Sequence, residues 1–343
     1  MREIYRILDA NFNRAREALR VAEDCGRFAL NDPAITSMAK HMRSDLKEIL
    51  DRMPSSELLV ARDTPGDIGT EITSPTEMTR QTMTDVASAA MKRLTESLRT
   101  VEEYSKVVAP SATLLLERMR YNAYTLEQRL IGRILVAGRF AKARLYVLIS
   151  TEQCKGSVRE LARQAIAGGA DVIQLRAKNC PDSQVLALAA ELRELTDQTG
   201  RLFIVNDRPD IAAIVGADGL HLGQHDLPIA ESRRLLRPGA IVGRSTHSLD
   251  QALAAATEGA DYIAVGPMFP TTTKDAGPIV GPALARDAAA EIKLPLVAIG
   301  GIHAGNVRQI VSEGISCVAI SSAICQASDP QAAAAEIRAL LPD

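Results

Sequence analysis

Apolar residues recur at three- and four-residue steps through the first 140 or so positions, and in short two-residue alternations thereafter. Ile4, Leu8, Phe12, Ala15, Leu19 and Ala22 make one apolar stripe, which predicts an amphipathic helix at the start of the chain. A second helix is expected from Ile35 to Met53, where Pro54 ends it. The segment Arg62-Asp63-Thr64-Pro65-Gly66-Asp67-Ile68-Gly69 is too rich in turn residues for a helix. Helical patterns then fill residues 76–108 and 111–137, split by Pro110-Ser111, with Ser111 as the expected N-cap. Arg14, Glu17, Leu19, Arg20, Glu23 and Asp24 reappear 79 positions later as Arg93, Glu96, Leu98, Arg99, Glu102 and Glu103. A helical hairpin used twice would give a four-helix bundle with approximate twofold symmetry. R-x-x-E spacing also occurs on any solvated helix face, so the matching leucine carries weight in that reading.

From Arg144 onward the pattern changes. Short β-branched runs at 144–150, 172–176, 202–206, 219–223, 241–245, 262–266, 295–300 and 317–321 alternate with Ala- and Leu-rich helical stretches. Eight strand–helix units in about 200 residues predict a (β/α)8 TIM barrel. A doubly wound open sheet would use fewer strands and usually a G-x-G-x-x-G turn, which the sequence lacks. The expected organisation is therefore an all-α helical-bundle domain at 1–138 followed by an α/β barrel at 144–343.

Composition narrows the class. Of 343 residues, 46% are hydrophobic and 24% charged, which suits a globular chain with a sizeable core. Forty basic against 42 acidic residues argue against a generally basic nucleic-acid binder. No run approaches the length of a membrane span, and Asp9 and Arg14 interrupt the N-terminal region before any signal-peptide core. Five scattered cysteines, never spaced C-x-x-C, fit reduced thiols. The expectation is a cytoplasmic protein acting on small molecules, with no nucleic-acid or membrane partner; its oligomeric state stays open.

Candidate chemistry sits where a barrel normally wants valine. The period of two along 172–178 puts Gln174, Arg176 and Lys178 on one face and Ile173, Leu175 and Ala177 on the other. The apolar face belongs against the helices, so the polar set faces the barrel mouth. Cations buried there need an anionic ligand or internal carboxylates. Asn206-Asp207 ends the third strand, and Asp226 closes His221-Leu222-Gly223-Gln224-His225-Asp226 after the fourth. Two neighbouring carboxylates suit Mg²⁺, which keeps several waters and bridges to substrate phosphates; each alone could equally cap the following helix. Ser245 and His247 follow the fifth strand, and Thr271, Thr272, Thr273 and Lys274 the sixth. Gly300-Gly301 and Ile320-Ser321 end strands seven and eight, whose loops habitually cradle phosphate in this fold. Two anion sites emerge: a cation-rich one matched to pyrophosphate and an amide-lined one matched to a monophosphate. His221 is expected inside the barrel with its nitrogens satisfied, and His247 is the one acid–base candidate.

In this order, QLRAK at 174–178, Asn206-Asp207, HLGQHD, GRSTHS, GPMFPTTTK, AIGGI and AISS resemble the thiamine-phosphate synthase family across essentially all of 144–341. Ala177 and His225 stand where that family commonly has acidic residues. The resemblance implies a transferase joining 4-amino-2-methyl-5-hydroxymethylpyrimidine diphosphate to thiazole phosphate or its carboxylated form, with release of pyrophosphate. It implies Gln174, Arg176, Lys178, Asn206, Ser245 and Lys274 around the pyrimidine diphosphate, with Arg176, Lys178 and Lys274 acting on the leaving group. It implies Asp207 and Asp226 on Mg²⁺, and Thr271, Thr272, Thr273, Gly301, Ile320 and Ser321 around the thiazole phosphate. Thiazole tautomerases of the same fold are the nearest rivals, and a non-catalytic phosphate-ligand sensor is a third reading; Asp207, Asp226, Lys178 and Lys274 together favour the transferase.

Residues 1–138, through DANFNRAREALRVAEDCGRF and RDTPGDIGT, resemble the helical domain often fused before such synthases and linked with hydroxymethylpyrimidine phosphate kinase activity. No G-x-x-x-x-G-K-[ST] occurs, so a kinase here is not of P-loop type. Asp9, Asn13, Arg16, Arg20, Glu23 and Arg27 share a polar stripe, readable as a site, a solvated face or a docking surface.

Overall fold

The computed structural model describes residues 1–68, 79–154, 156–237, 239–271 and 278–343. Two compact units divide the chain, Met1–Leu135 and Val136–Asp343. No helix among the described residues is long and apolar enough to cross a membrane.

The first unit is helical: α1 (Arg2–Asp24), α2 (Pro33–Asp51), α3 (Ser55–Ala61), α4 (Met83–Val108) and α5 (Thr113–Ala141), the last of which contains the division between units. The stripe on α1 is buried as its spacing demands, with Leu8, Phe12, Ala15, Leu19 and Ala22 packed beside Met42, Leu94, Leu98 and Leu126. Asp32 caps α2, its side chain accepting from the amides of Ala34 and Ile35, and Pro33 opens the helix. α4 starts at Met83 rather than near 76, because Thr82 and Asp85 form a reciprocal capping box. Ser111 does not cap α5; it lies within the tight turn of helix Pro110–Ala112. α3 is too short for its periodicity to register in the sequence.

The repeated motif has a structural counterpart. Glu23 and Glu102, 79 positions apart, are each only 4% exposed. Glu23 pairs with Arg43 of α2 and with Arg27. Glu102 pairs with Arg120 of α5 at 2.8 Å and with Arg99 at 2.9 Å. In both halves a buried carboxylate ties the hairpin's first helix to its second.

In the second unit eight parallel strands close in sequence order, β8 pairing back onto β1. They are β1 (Leu145–Ser150), β2 (Val172–Arg176), β3 (Leu202–Asn206), β4 (Gly219–Leu222), β5 (Ile241–Thr246), β6 (Tyr262–Val265), β7 (Leu296–Ile299) and β8 (Cys317–Ile320). Every strand lies within one residue of the bounds expected from sequence. The helices α6 (Val158–Ala167), α7 (Asp182–Thr199), α8 (Pro209–Ile214), α9 (Ile229–Leu235), α10 (Leu249–Thr257), α11 (Gly281–Glu291), α12 (Val307–Ser312), α13 (Ser322–Cys325) and α14 (Pro330–Arg338) follow the strands.

Alternation sorts the side chains. Val147, Ile149, Ile173, Leu175, Phe203, Val205, Leu220 and Val242 point outward into a core shared with the helices. The N-terminal part of the interior is filled by Tyr146, Val172, Leu202, Ile204, Ile241 and Tyr262, with Val136 and Phe140 from the end of α5. Phe140 stacks on Tyr262 at a centroid distance of 4.2 Å. Gly243 makes room for that stack, since a Cβ there would fall inside the Tyr262 ring. Gly243→Ala is accordingly expected to destabilise the protein by about 1–3 kcal/mol through overpacking, read as a lower denaturant midpoint; unchanged stability would mean the ring is not held there.

Candidate functional site

The inward positions turn polar toward the C-terminal ends of the strands. Arg176, at the end of β2, is 11% exposed and donates from one guanidinium nitrogen to Ser150 Oγ at 3.2 Å and Glu152 Oε2 at 3.1 Å. Asn179 donates to the other oxygen of Glu152 at 2.8 Å, so a loop carboxylate holds Arg176 at the rim. Lys178 stands 3.3 Å from Asp207 Oδ2. Asp207, just past β3, has φ +63°, a left-handed conformation that aspartate tolerates better than most residues. Its amide donates to the His221 carbonyl, fixing the turn against β4.

Asp226 Oδ2 accepts from the Gly223 amide at 2.6 Å, which folds the loop after β4 back on itself. The two carboxylates come within hydrogen-bonding reach of each other. Burial, followed by this contact with Asp226 and its charge, pushes Asp207 up to about 6, and Lys178 opposes the shift only in part. Two acidic groups forced together in this way could hold a cation between them, and oxygen donors suit a hard divalent ion. Among the described residues no group of three or more His, Cys, Asp or Glu side chains gathers as a metal site, so these two carboxylates would leave further positions to water and ligand.

Beside Arg176 lies a cavity of about 130 Å³, lined by Leu148, Ser245, His247, Thr271, Gly300, Gly301, Ser321 and Ser322 among others. Gly301 adopts φ +65°, and a Cβ there would strike the carbonyl oxygens of Phe269 and Pro270, so the loop after β6 can lie against this turn only over glycine. Met268 and Phe269 donate their amides to Ile299 and Gly300 across that approach, each at 3.0 Å. His247 Nδ1 lies 2.6 Å from the Gly266 carbonyl, which can only accept, so Nδ1 carries a proton. Ser321 donates to Gln153 Oε1 at 3.2 Å.

The family model described as thiamine monophosphate synthase matches residues 145–324, and the one described as the ThiD2 family matches 6–129. A thiamine-phosphate synthase of Nostoc punctiforme is 41% identical over 329 residues, which is 95% of this chain and 91% of that protein. The chain belongs to the thiamine-phosphate synthase family. A family member from Gloeobacter violaceus is 40% identical over 327 residues, covering 95% of this chain and 94% of its own. The solved thiamine phosphate pyrophosphorylase from Pyrococcus furiosus is 37% identical, with a TM-score of 0.54, and covers 59% of this chain and 96% of its own.

Within this synthase-family barrel, Arg176, Lys178, Asp207 and Asp226 converge at the mouth, while Ser245, Thr271, Gly301 and Ser321 line the adjoining cavity. Gln174 lies deeper, 1% exposed, and Asn206 ends β3 beside Asp207. Ile320 sends its side chain outward into the helix-facing core, so it could meet a ligand only through its main chain. Thr272, Thr273 and Lys274 lie outside the described residues. Glu152, Tyr146 and Tyr262 were not anticipated as part of the site. Strand parity marks the two tyrosines only as inward-facing, beside Leu148 in β1 and Ala264 in β6, and gives no sign of their hydroxyl partners; Glu152 sits in a loop with no periodic signal.

The raised Asp207 value fixes a sign. Its carboxyl holds a proton more tightly in the folded protein than in the unfolded chain, so the contribution of Asp207 to metal-free stability is full at low pH and is lost as pH rises toward and through about 6. At pH 8 without divalent metal, Asp207→Asn should therefore stabilise the fold, by about 1–2 kcal/mol, and should erase any stabilisation by added divalent cation. A variant less stable than its parent under those conditions would contradict the electrostatic reading.

Proposed function

We propose that the barrel condenses 4-amino-2-methyl-5-hydroxymethylpyrimidine diphosphate with thiazole phosphate, or its carboxylated form, giving thiamine monophosphate and pyrophosphate. The observation that carries this reading is the convergence of Arg176, Lys178, Asp207 and Asp226 from separate strand ends beside a glycine-lined cavity. Arginine's planar fork and lysine's point charge are matched to the oxygens of a diphosphate. As the carbon–oxygen bond breaks, negative charge grows on the leaving pyrophosphate, and Arg176 and Lys178 (with Lys274) stabilise it there. The electron-rich pyrimidine ring bears the complementary positive charge until the thiazole nitrogen captures the carbon. Glu152 holds Arg176 until the diphosphate supplies a better anion. Gly301, Ser321 and the threonines at 271–273 present the thiazole phosphate, with Ile320 contributing its main chain; Gln174, Asn206 and Ser245 hold the pyrimidine end.

Mg²⁺ is the proposed cofactor, held by Asp207 and Asp226, and when bound it would supply positive charge to the departing diphosphate. The donor set fits: two hard oxygen ligands, mutually repelling unless a proton or cation lies between them.

A second activity is proposed for the helical unit. It contains a cavity of about 430 Å³ lined by four cations, Arg16, Arg43, Lys47 and Arg62, against two carboxylates, Asp9 and Asp51, with Phe12, Leu46 and Leu50 as an apolar wall; Asp9 holds Arg62 and Glu23 holds Arg43. Part of the polar stripe on α1 thus lines a pocket, and a phosphorylated pyrimidine suits both its charge and its apolar side. Phosphorylation there would yield the diphosphate that the barrel consumes.

The full chain, mixed with both barrel substrates and Mg²⁺, should release one pyrophosphate per thiamine phosphate formed; absence of release would sink the transferase reading. Asp207→Ala should abolish release at ordinary Mg²⁺, and Arg176→Ala should slow it by about 10²–10³-fold. With ATP and the pyrimidine monophosphate, the full chain should form the diphosphate, and Arg16→Ala or Lys47→Ala should weaken that step alone.

A further inference from the structure

Five side chains from five strands form one continuous hydrogen-bonded line through the barrel interior. Gln174 Nε2 donates to the Tyr146 hydroxyl at 2.7 Å. The Tyr146 and Tyr262 hydroxyls are 3.1 Å apart. The Tyr262 hydroxyl is 2.9 Å from His221 Nδ1, and His221 Nε2 is 2.8 Å from Ser245 Oγ. The first four residues are buried, and only Ser245 reaches the cavity.

A line of this kind has two self-consistent directions, because each hydroxyl has a single proton and a neutral imidazole donates from only one nitrogen. The amide of Gln174 selects between them. Its nitrogen faces Tyr146, so the Tyr146 hydroxyl accepts there and donates its own proton to Tyr262. Tyr262 then donates to His221 Nδ1, the imidazole proton sits on Nε2, and that proton goes to Ser245 Oγ. The Ser245 proton is the one left over. Burial raises both phenols, so neither loses its proton and breaks the sequence. The rings are held as well: His221 stacks on Tyr262 at 5.6 Å, and Tyr262 on Phe140.

We propose that Tyr146, Tyr262 and His221 are positioning residues that leave the Ser245 proton for the mouth, so that the hydroxyl offers a hydrogen-bond donor to an acceptor atom of the ligand. This rests on the reading above that Ser245 contacts substrate. It adds that the polarity of this contact is set from within the barrel, at the far end of the line. Removing the Tyr262 hydroxyl frees His221 to change tautomer and Ser245 to turn its proton back toward the imidazole.

Two measurements on the full chain test this. Long-range ¹H–¹⁵N spectra, with His221 assigned by its loss in His221→Gln, should show the proton on Nε2, and Tyr262→Phe should shift it toward a mixture. A proton on Nδ1 in the unsubstituted protein would reverse every arrow and overturn the proposal. In a double-mutant cycle, Tyr262→Phe should lower kcat/KM for pyrophosphate release by about tenfold yet add nothing to Ser245→Ala. An equal loss in both backgrounds would assign Tyr262 a purely structural role and also overturn it. Should Tyr262→Phe fold poorly, Tyr146→Phe, one link further away, should give a smaller loss that likewise vanishes in Ser245→Ala. If the unsubstituted chain releases no pyrophosphate, the functional reading fails, while the tautomer still decides the internal line.

Discussion

A closed eight-stranded barrel gives each inward-facing residue one of two environments, and this constraint governs everything at the mouth. At the N-terminal end the interior must be filled; here Phe140, Tyr146 and Tyr262 do so, over the space left by Gly243. At the C-terminal end the same alternation turns polar side chains toward solvent and ligand. The parity that sends Val172 into the core also sends Gln174 and Arg176 toward the mouth. Pairing of Ser150 with Arg176 and of Asn206 with His221 brings the strand ends to one rim. No single loop could set Lys178 against Asp207 without that shared register.

The rim is electrostatically strained. Two carboxylates approach closely enough for one to be driven up to about 6, while the adjacent cations make pairs that only partly satisfy them. Lys178 remains close to half exposed and Arg176 is held through a partly exposed glutamate. Charges this close are costly together and cheap once a cation and a multiply charged anion lie among them. On the proposed reading, binding of a metal–diphosphate pair would relieve this repulsion.

Much of this was legible in the alternation alone. β2 announced itself through Gln174, Arg176 and Lys178 on one parity, whereas glycines 300 and 301, read from sequence as part of a phosphate cradle, also admit the loop after β6, an approach the sequence did not signal. What stayed hidden depended on partners distant in sequence. Glu152 lies in a loop, so its pairing with Arg176 follows from strand register and not from any local pattern. Tyr146 and Tyr262 look like filler in isolation; their hydroxyls acquire meaning only when the barrel closes and sets them 3.1 Å apart across 116 residues of chain. The start of α4 was misplaced because helical periodicity ran on past a boundary that Thr82 and Asp85 fix by side-chain hydrogen bonds.

The helical unit shows which part of a repeat is structural. Glu23 and Glu102 keep their buried place and their arginine partners in both halves, as a carboxylate must if removing it strands a cation in the interface. The cavity residues do not recur: 79 positions on, Asp9, Asn13 and Arg16 correspond to Ser88, Lys92 and Thr95. The large hydrophobic at Phe12 is kept in kind as Met91, and both are buried in the shared core. Packing and the internal ion pair thus repeat, whereas the polar groups at the cavity positions change identity between the halves: Ser88 and Lys92 line a second cavity with Arg80 and Asp85, so each half presents a differently charged surface on the same packed frame.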